Sequence, residues 1–329
     1  MNTRSKNLRA LLLTTAVTAG LASGAGTATA QQVADSVTPV AVAPSADGPA
    51  ADAPVGDEPS TQIIGGHRAS EVYPWAASLM YDAPAYGRQD WHTCGATLIE
   101  RGWLATAAHC VTDPPSITTA QRYRVDMLAG TPIPTKDKAF HVSIGATDRT
   151  QGTTATVVAI YVHPGWTFLT KPGKASDVAV LKLDHQVEEQ AIEIPGRATK
   201  VGSAVRSVGW GLTDPAGIGT APQLLQEYDT KTLPAARCTT GAITVGDICL
   251  DNPNGRTGAC YGDSGSAAIE KINRRWQFVG IVSRSGELNC GEEPTVYTSA
   301  PDYAGFMYDV MTGKQPPVLA ATGGQPTGS

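Results

Sequence analysis

All six histidines of the chain (His67, His92, His109, His141, His163 and His185) precede the stretch Gly258-Ala-Cys-Tyr-Gly-Asp-Ser-Gly-Ser-Ala267. A serine hydroxyl is a weak nucleophile at neutral pH. One that does chemistry needs a base beside it and backbone N–H groups aimed at the oxyanion that develops. Gly262 and Gly265, flanking Asp263 and Ser264, let the backbone turn tightly and approach a carbonyl with no Cβ in the way. The N–H groups of Gly262 and Ser264 could then form an oxyanion hole. If Ser264 is a nucleophile, its base comes earlier in the chain. That order excludes an α/β-hydrolase, in which the histidine follows a Gly-x-Ser-x-Gly elbow; here Ser266 holds the last glycine position. Taken alone, the stretch also fits a glycine-rich surface turn.

The N-terminus points to a compartment. Arg4, Lys6 and Arg9 precede an apolar run from Ala10 to Ala22, and Ala28-Thr29-Ala30 offers small residues for cleavage, the pattern of a secretory signal peptide over residues 1–30. The run is shorter than the roughly 20 apolar residues that cross a bilayer, and threonines and Gly20 break it. The mature protein is therefore expected to be secreted and extracellular, away from the membrane, in an oxidising compartment where its six cysteines pair. Residues 31–62 are alanine, proline, valine and aspartate in loose alternation, with five acids (Asp35, Asp47, Asp52, Asp57, Glu58) and no lysine or arginine. Such a segment has little to bury and reads as a pro-segment or spacer. A net charge of −5 and the lack of a long basic run argue against nucleic acid or an anionic membrane as a partner.

From Ile63 the character changes. Ile63-Ile64-Gly65-Gly66, Tyr73-Pro74-Trp75, Cys94-Gly95-Ala96-Thr97-Leu98 and Thr106-Ala107-Ala108-His109-Cys110 follow one another. Val162-His163-Pro164, Asp177-Val178-Ala179-Val180-Leu181, Gly209-Trp210-Gly211, Gly262-Asp263-Ser264-Gly265 and Pro294-Thr295-Val296-Tyr297 complete the series. In this order the motifs resemble those of the trypsin and chymotrypsin-like serine proteases, of the bacterial secreted type, over residues 63–312. The fold this resemblance implies is all-β: two six-stranded antiparallel barrels packed together, with a C-terminal helix. The residues agree independently with a β-rich domain. Val178 to Leu183 and Phe278 to Val282 are short apolar runs rich in β-branched residues, bounded by turn formers. Tyr303, Phe306, Met307, Val310 and Met311 recur at helical spacing, with Ser299 and Asp302 as candidate caps and Gly313 as a stop. Residues 313–329 have no periodicity and read as a flexible tail.

The resemblance assigns roles. His109 is the expected general base and Asp177 the residue that fixes its tautomer, with Ser264 as nucleophile and Gly262 with Ser264 as the oxyanion hole. Asp263 is expected to pair with the ammonium of Ile63 once the bond after Gln62 is cut. Because Gln62 is neither arginine nor lysine, the activating protease should not be trypsin-like. The implied disulfides are Cys94–Cys110, Cys238–Cys249 and Cys260–Cys290. Ser283 corresponds to a serine that hydrogen-bonds the aspartate.

The substrate pocket is expected from Gly258, Ala259, Ser283, Arg284, Ser285 and Thr295. Gly258 stands where trypsins carry an aspartate, and a floor without a carboxylate leaves a buried substrate cation unpaired. Ser285 and Thr295 in place of glycines should shorten the pocket, favouring small or apolar side chains over Arg and Lys; a one-residue shift would put Gly286 at the wall instead. Arg284 is expected to reach solvent or to attract acidic substrate side chains. The stretch from Val111 to Phe140 exceeds the family's usual length and is expected to narrow the cleft on the leaving-group side. No cysteine or histidine cluster has zinc spacing, so neither metal nor cofactor is expected. The expected partners of this monomer are protein or peptide substrates and an activating protease. The alternatives are a protease-like binding protein without activity, or an esterase or amidase using the same triad.

Overall fold

The computed structural model describes residues 64–123, 132–169, 175–287, 289–317 and 319–320. The expected signal peptide, the pro-segment and Ile63 lie outside the described residues.

The strand pattern arises from two-residue periodicity. In Thr153–Val162 the residues Ala155, Val157 and Ala159 are buried while Thr154, Thr156 and Val158 face outward, which sends one face of the strand to a core. Strands β2 (Ala76–Ala83), β3 (Arg88–Glu100), β4 (Trp103–Thr106), β5 (Ala139–Ile144), β6 (Thr153–Val162) and β7 (Ala179–Leu183) pair in the order β6-β5-β2-β3-β4-β7. The pairing of β7 with β6 closes this first antiparallel barrel. Strands β8 (Ala204–Gly209), β9 (Gln226–Leu233), β10 (Asp247–Leu250), β11 (Ala267–Ile272), β12 (Arg275–Arg284) and β13 (Thr295–Ser299) form the second, in the order β9-β10-β13-β12-β11-β8, closed between β8 and β9. The short strand β1 (His67–Arg68) extends the second barrel along β9.

Closure removes the open edges that would otherwise invite aggregation, and each barrel is filled by its inward side chains. Leu79, Leu98, Leu104 and Leu181 fill the first, in a core that reaches Phe278 and Ile281 of the second. The apolar run Phe278–Val282 of β12, a strand paired with β11 on one edge and β13 on the other, is buried on both faces. Three disulfides join Cys94 to Cys110, Cys238 to Cys249 and Cys260 to Cys290.

Helix α1 (Ile117–Tyr123) lies within the long stretch that follows His109, and α2 (Ala304–Met311) lies near the C-terminus. The apolar stripe of α2 does pack inward, with Met307 and Val310 buried, and Gly313 ends it with φ +77°. Ser299 and Asp302 do not cap it. Ser299 is buried in β13, and a 3-10 turn over Pro301–Tyr303 leads into the helix without a side-chain cap. The tail also departs from expectation. Leu319–Ala320 forms strand β14 against Ile160 and Ala159 of β6, a backbone pairing that no periodic pattern announces. Among the described residues no helix is long and apolar enough to cross a membrane.

Candidate active site

The pairing of β4 with β7 sets Thr106 opposite Ala179, which brings the residues just after β4 and just before β7 to the same end of the first barrel. His109 follows β4 on a 3-10 turn, Ala108–Val111, anchored by the Cys94–Cys110 bridge. Asp177 precedes β7. Its Oδ2 lies 2.7 Å from His109 Nδ1, and its Oδ1 accepts the His109 backbone N–H at 3.0 Å. Ser283 Oγ donates to Asp177 Oδ2 at 2.6 Å. The register between β12 and β13 slips between Val282 and Arg284, and this bulge at Ser283 re-aims its side chain at the carboxylate. Thr298 Oγ1 donates to the Asp177 carbonyl at 3.1 Å, a brace that nothing in the sequence marks.

Burial alone would raise the Asp177 carboxyl. The His109 ring beside it and the hydrogen bonds from His109 and Ser283 outweigh that and hold it below the ordinary carboxylate value. An anionic Asp177 accepts the hydrogen bond of Nδ1–H, which leaves Nε2 as the acceptor on the other side of the ring. His109 Nε2 is buried and has no hydrogen-bonded partner among the described residues. The Ser264 hydroxyl is thus not bonded to it here, as is common in substrate-free sites where such bonds tighten on binding.

The serine loop is held from several sides. Gly95 N–H donates to the Ser264 carbonyl at 2.7 Å, and Gly265 N–H to Val282 O at 2.9 Å. Gly265 has φ +82°, and a Cβ there would strike Thr106 and Gly95, so no other residue fits. This packing against Thr106 and Ala107 sets Ser264 beside the turn that carries His109. Planar trans peptides decide where two N–H groups point. The Tyr261 carbonyl accepts Leu212 N–H at 2.7 Å and the Asp263 carbonyl accepts Ser266 N–H at 2.9 Å. The N–H groups of Gly262 and Ser264, on the opposite sides of those peptides, have no partner among the described residues. The Asp263 carboxylate is buried and accepts N–H groups from Gly211 at 2.7 Å and Cys260 at 2.9 Å.

Behind the loop lies a histidine that the sequence reading passed over. His92 Nε2–H donates to the Gly262 carbonyl at 3.1 Å, and Ser78 Oγ bonds its Nδ1 at 2.8 Å. Its place two residues before Cys94 is the one signal that could have drawn attention to it. Burial, with a lesser push from Arg149, lowers its pKa to about 3. In the unfolded chain His92 takes up a proton near the ordinary histidine value of about 6.5, whereas in the fold it stays neutral. The unfolded state therefore binds more protons across that interval, and stability rises with pH from about 3 to about 6.5. His92→Gln, which keeps a donor and an acceptor, is expected to flatten the loss of stability between those pH values, measured by urea unfolding. An unchanged pH profile would contradict this.

Of the pocket residues, Gly258 lies close to Thr295: a Cβ on Gly258 would sit 3.7 Å from Thr295 Oγ1. Ser285 is half-buried at the end of β12, while Ala259 packs into the second core with Val282 and Tyr297. Beneath them Tyr228 and Tyr297 share a hydrogen bond of 3.0 Å, and Tyr297 reaches Ser207 at 2.8 Å. Gly286 packs against Thr240. Arg284 neither reaches solvent nor lines a surface open to acidic side chains; it is 3% exposed. Its Nη2 meets Asp247 Oδ2 at 2.6 Å, its other contacts are Gly241 O, Ala242 O and Ser283 Oγ, and all of them lie behind the pocket wall. An unpaired cation could not be buried there, and Asp247, 37 positions away in sequence, was not a foreseeable partner.

The described part of the long stretch after His109 covers the histidine. Tyr123, at the end of α1, is buried with its ring centroid 5.5 Å from that of His109, and Trp166 stands edge-on to Tyr123 at 5.3 Å. His109 is left 1% exposed. Helix α1 also contacts β12, whose end carries pocket residues. Two groupings of potential metal ligands occur among the described residues. Cys94 and Cys110 are disulfide-bonded and cannot join His109, and Asp82, Asp90 and His141 form a surface cluster on β2, β3 and β5.

The described residues thus hold two closed barrels, a buried histidine–aspartate pair and a glycine-bounded serine loop packed against the turn that carries the histidine. The trypsin family profile matches residues 63–307, and the chain belongs to that family. It is 31% identical over 255 residues to transmembrane protease serine 11C of Mus musculus, across 74% of this chain and 52% of that protein. It is also 28% identical over 269 residues to chymotrypsin-like elastase family member 1 of Canis lupus familiaris, across 77% of this chain and 93% of that protein. The chain thus spans about half the length of the transmembrane proteases it matches.

Proposed function

We propose that the chain is the precursor of a secreted serine endopeptidase that cleaves peptide bonds through an acyl-enzyme on Ser264. One observation carries this function: the buried contact of 2.7 Å between His109 Nδ1 and Asp177, which leaves Nε2 free to take a proton on the side of Ser264. His109 Nε2 removes the Ser264 proton as Oγ attacks the carbonyl carbon. The N–H groups of Gly262 and Ser264 receive the oxyanion. The imidazolium, stabilised by Asp177, then gives its proton to the leaving amine, and water repeats the sequence to release the acid.

Before cleavage, residues 1–30 direct export and residues 31–62 precede the enzyme. Cutting after Gln62 frees the Ile63 ammonium, which pairs with the buried Asp263 carboxylate and sets the oxyanion loop. With Gly258 at the floor, Thr295 and Ser285 at the walls and neutral tyrosines beneath, the pocket favours small or apolar side chains before the cleaved bond. Profiling on a peptide library, with Ser264→Ala as control, tests this. Cleavage after alanine, valine or leucine is expected, and dominant cleavage after arginine or lysine would contradict it. Turnover of simple esters without any peptide cleavage would move the function to an esterase.

A further inference from the structure

A small cavity of about 140 Å3 opens beside the oxyanion loop, on the side away from the substrate pocket. Asp90, Trp91 and His92 of β3, Arg149 and the segment Gly219 to Ala221 line it. Its place relative to the chemistry follows from two contacts. His92 is bonded to the Gly262 carbonyl, and Gly95, three residues further along the same strand, is bonded to the Ser264 carbonyl. The residues expected to hold the acyl part of a substrate, Ser283 to Ser285, are on the other flank of Ser264, at the end of β12. An extended peptide crossing Ser264 therefore sends the residues after the cleaved bond over β3 and towards this cavity. At about 3.3 Å per residue with side chains alternating, one of the first two of them faces it.

Arg149 gives the cavity its chemistry. Its backbone N–H donates to Gln223 O at 3.0 Å and its Nε to Pro222 O at 3.2 Å, so the guanidinium is fixed in place. Among the described residues its two terminal amino groups have no hydrogen-bonded partner. Asp148 lies near enough to favour the Arg149 charge, but no hydrogen bond joins them, and both neighbouring carboxylates have partners of their own. Asp148 accepts from Thr150 at 2.7 Å and from Gln223 at 3.1 Å, and Asp90, itself part of the lining, is 3.1 Å from His141. His92 is neutral, and the remaining walls are largely apolar. Burial disfavours the charge on Arg149 by more than Asp148 favours it, a penalty that an incoming carboxylate would relieve. A fixed guanidinium with two open amino groups matches a carboxylate in bidentate fashion.

We propose that Arg149 makes this cavity a subsite for an acidic side chain, glutamate above all, at the first or second position after the cleaved bond. The proposal rests on the peptidase function given above. Its test is the ratio of kcat/KM for two peptides that differ only by glutamate or glutamine at the position a library profile selects. The active protein is expected to favour glutamate by roughly tenfold, chiefly through KM. The ratio should collapse towards one in Arg149→Gln and be partly kept in Arg149→Lys. A library profile with no acidic preference after the bond, or a ratio unchanged by Arg149→Gln, would overturn the proposal. Hydrolysis of a simple ester by the wild type is measured alongside. Ester turnover without cleavage of any peptide would sink the peptidase function, and this subsite with it. Peptide cleavage without the glutamate preference would sink the subsite alone.

Discussion

Ser264→Ala is expected to lower kcat for peptides by about 10⁶, and adding His109→Ala to it should lower kcat little further. The reason lies in how the groups depend on one another. In the proposed mechanism His109 is useful as a base only through the proton it takes from Ser264, so once the hydroxyl is gone the ring has nothing left to do. Asp177 acts at one remove, by holding the ring with Nδ1 at 2.7 Å, so Asp177→Asn is expected to cost about 10⁴ by presenting the wrong tautomer. Single-turnover assays on a cleaved peptide measure all three. Losses that simply multiplied in the double variant would show that His109 and Ser264 do not act as a unit.

Arg284→Met is expected to destabilise the fold by about 3–5 kcal/mol, because it strands a buried carboxylate. Asp247 would keep only the Thr244 backbone and hydroxyl donors, at 2.9 and 2.8 Å, in a place where burial already raises its carboxyl pKa. The same change removes the Arg284 contact of 2.9 Å with Ser283 Oγ, the hydroxyl that bonds Asp177, so kcat should fall as well. Replacing both partners, Arg284→Met with Asp247→Leu, should restore most of the stability while leaving kcat low. Urea midpoints and peptide kinetics on the three variants separate the two effects. A loss below about 1 kcal/mol in Arg284→Met would mean that the pair is not the anchor its burial implies.

These two predictions differ in how far the sequence supports them. Ser264, His109 and Asp177 stand in short motifs whose order is itself informative, and the strands around them carry a two-residue period that survives in any chain with one buried face. Arg284 was misread because its environment is made by a partner 37 positions earlier, and no local pattern reports such a contact. His92, Thr298 and Tyr123 escaped notice for the same reason. Each acts through one tertiary contact, with Gly262, Asp177 and His109 respectively. The long stretch after His109 is recognisable by its length, but its cover over the histidine depends on where Tyr123 of α1 packs, which its composition does not encode. The pairing of Leu319 with Ile160 is a backbone interaction and leaves no mark on side-chain pattern at all.

The acyl-enzyme claim is tested most directly by intact mass and N-terminal sequence of the processed protein, with and without a fluorophosphonate serine probe. A chain that begins at Ile63 and gains a single adduct on Ser264 is the predicted result. A chain that begins at Ile63 and gains no adduct would contradict it and make the protein a catalytically silent binder on a protease scaffold.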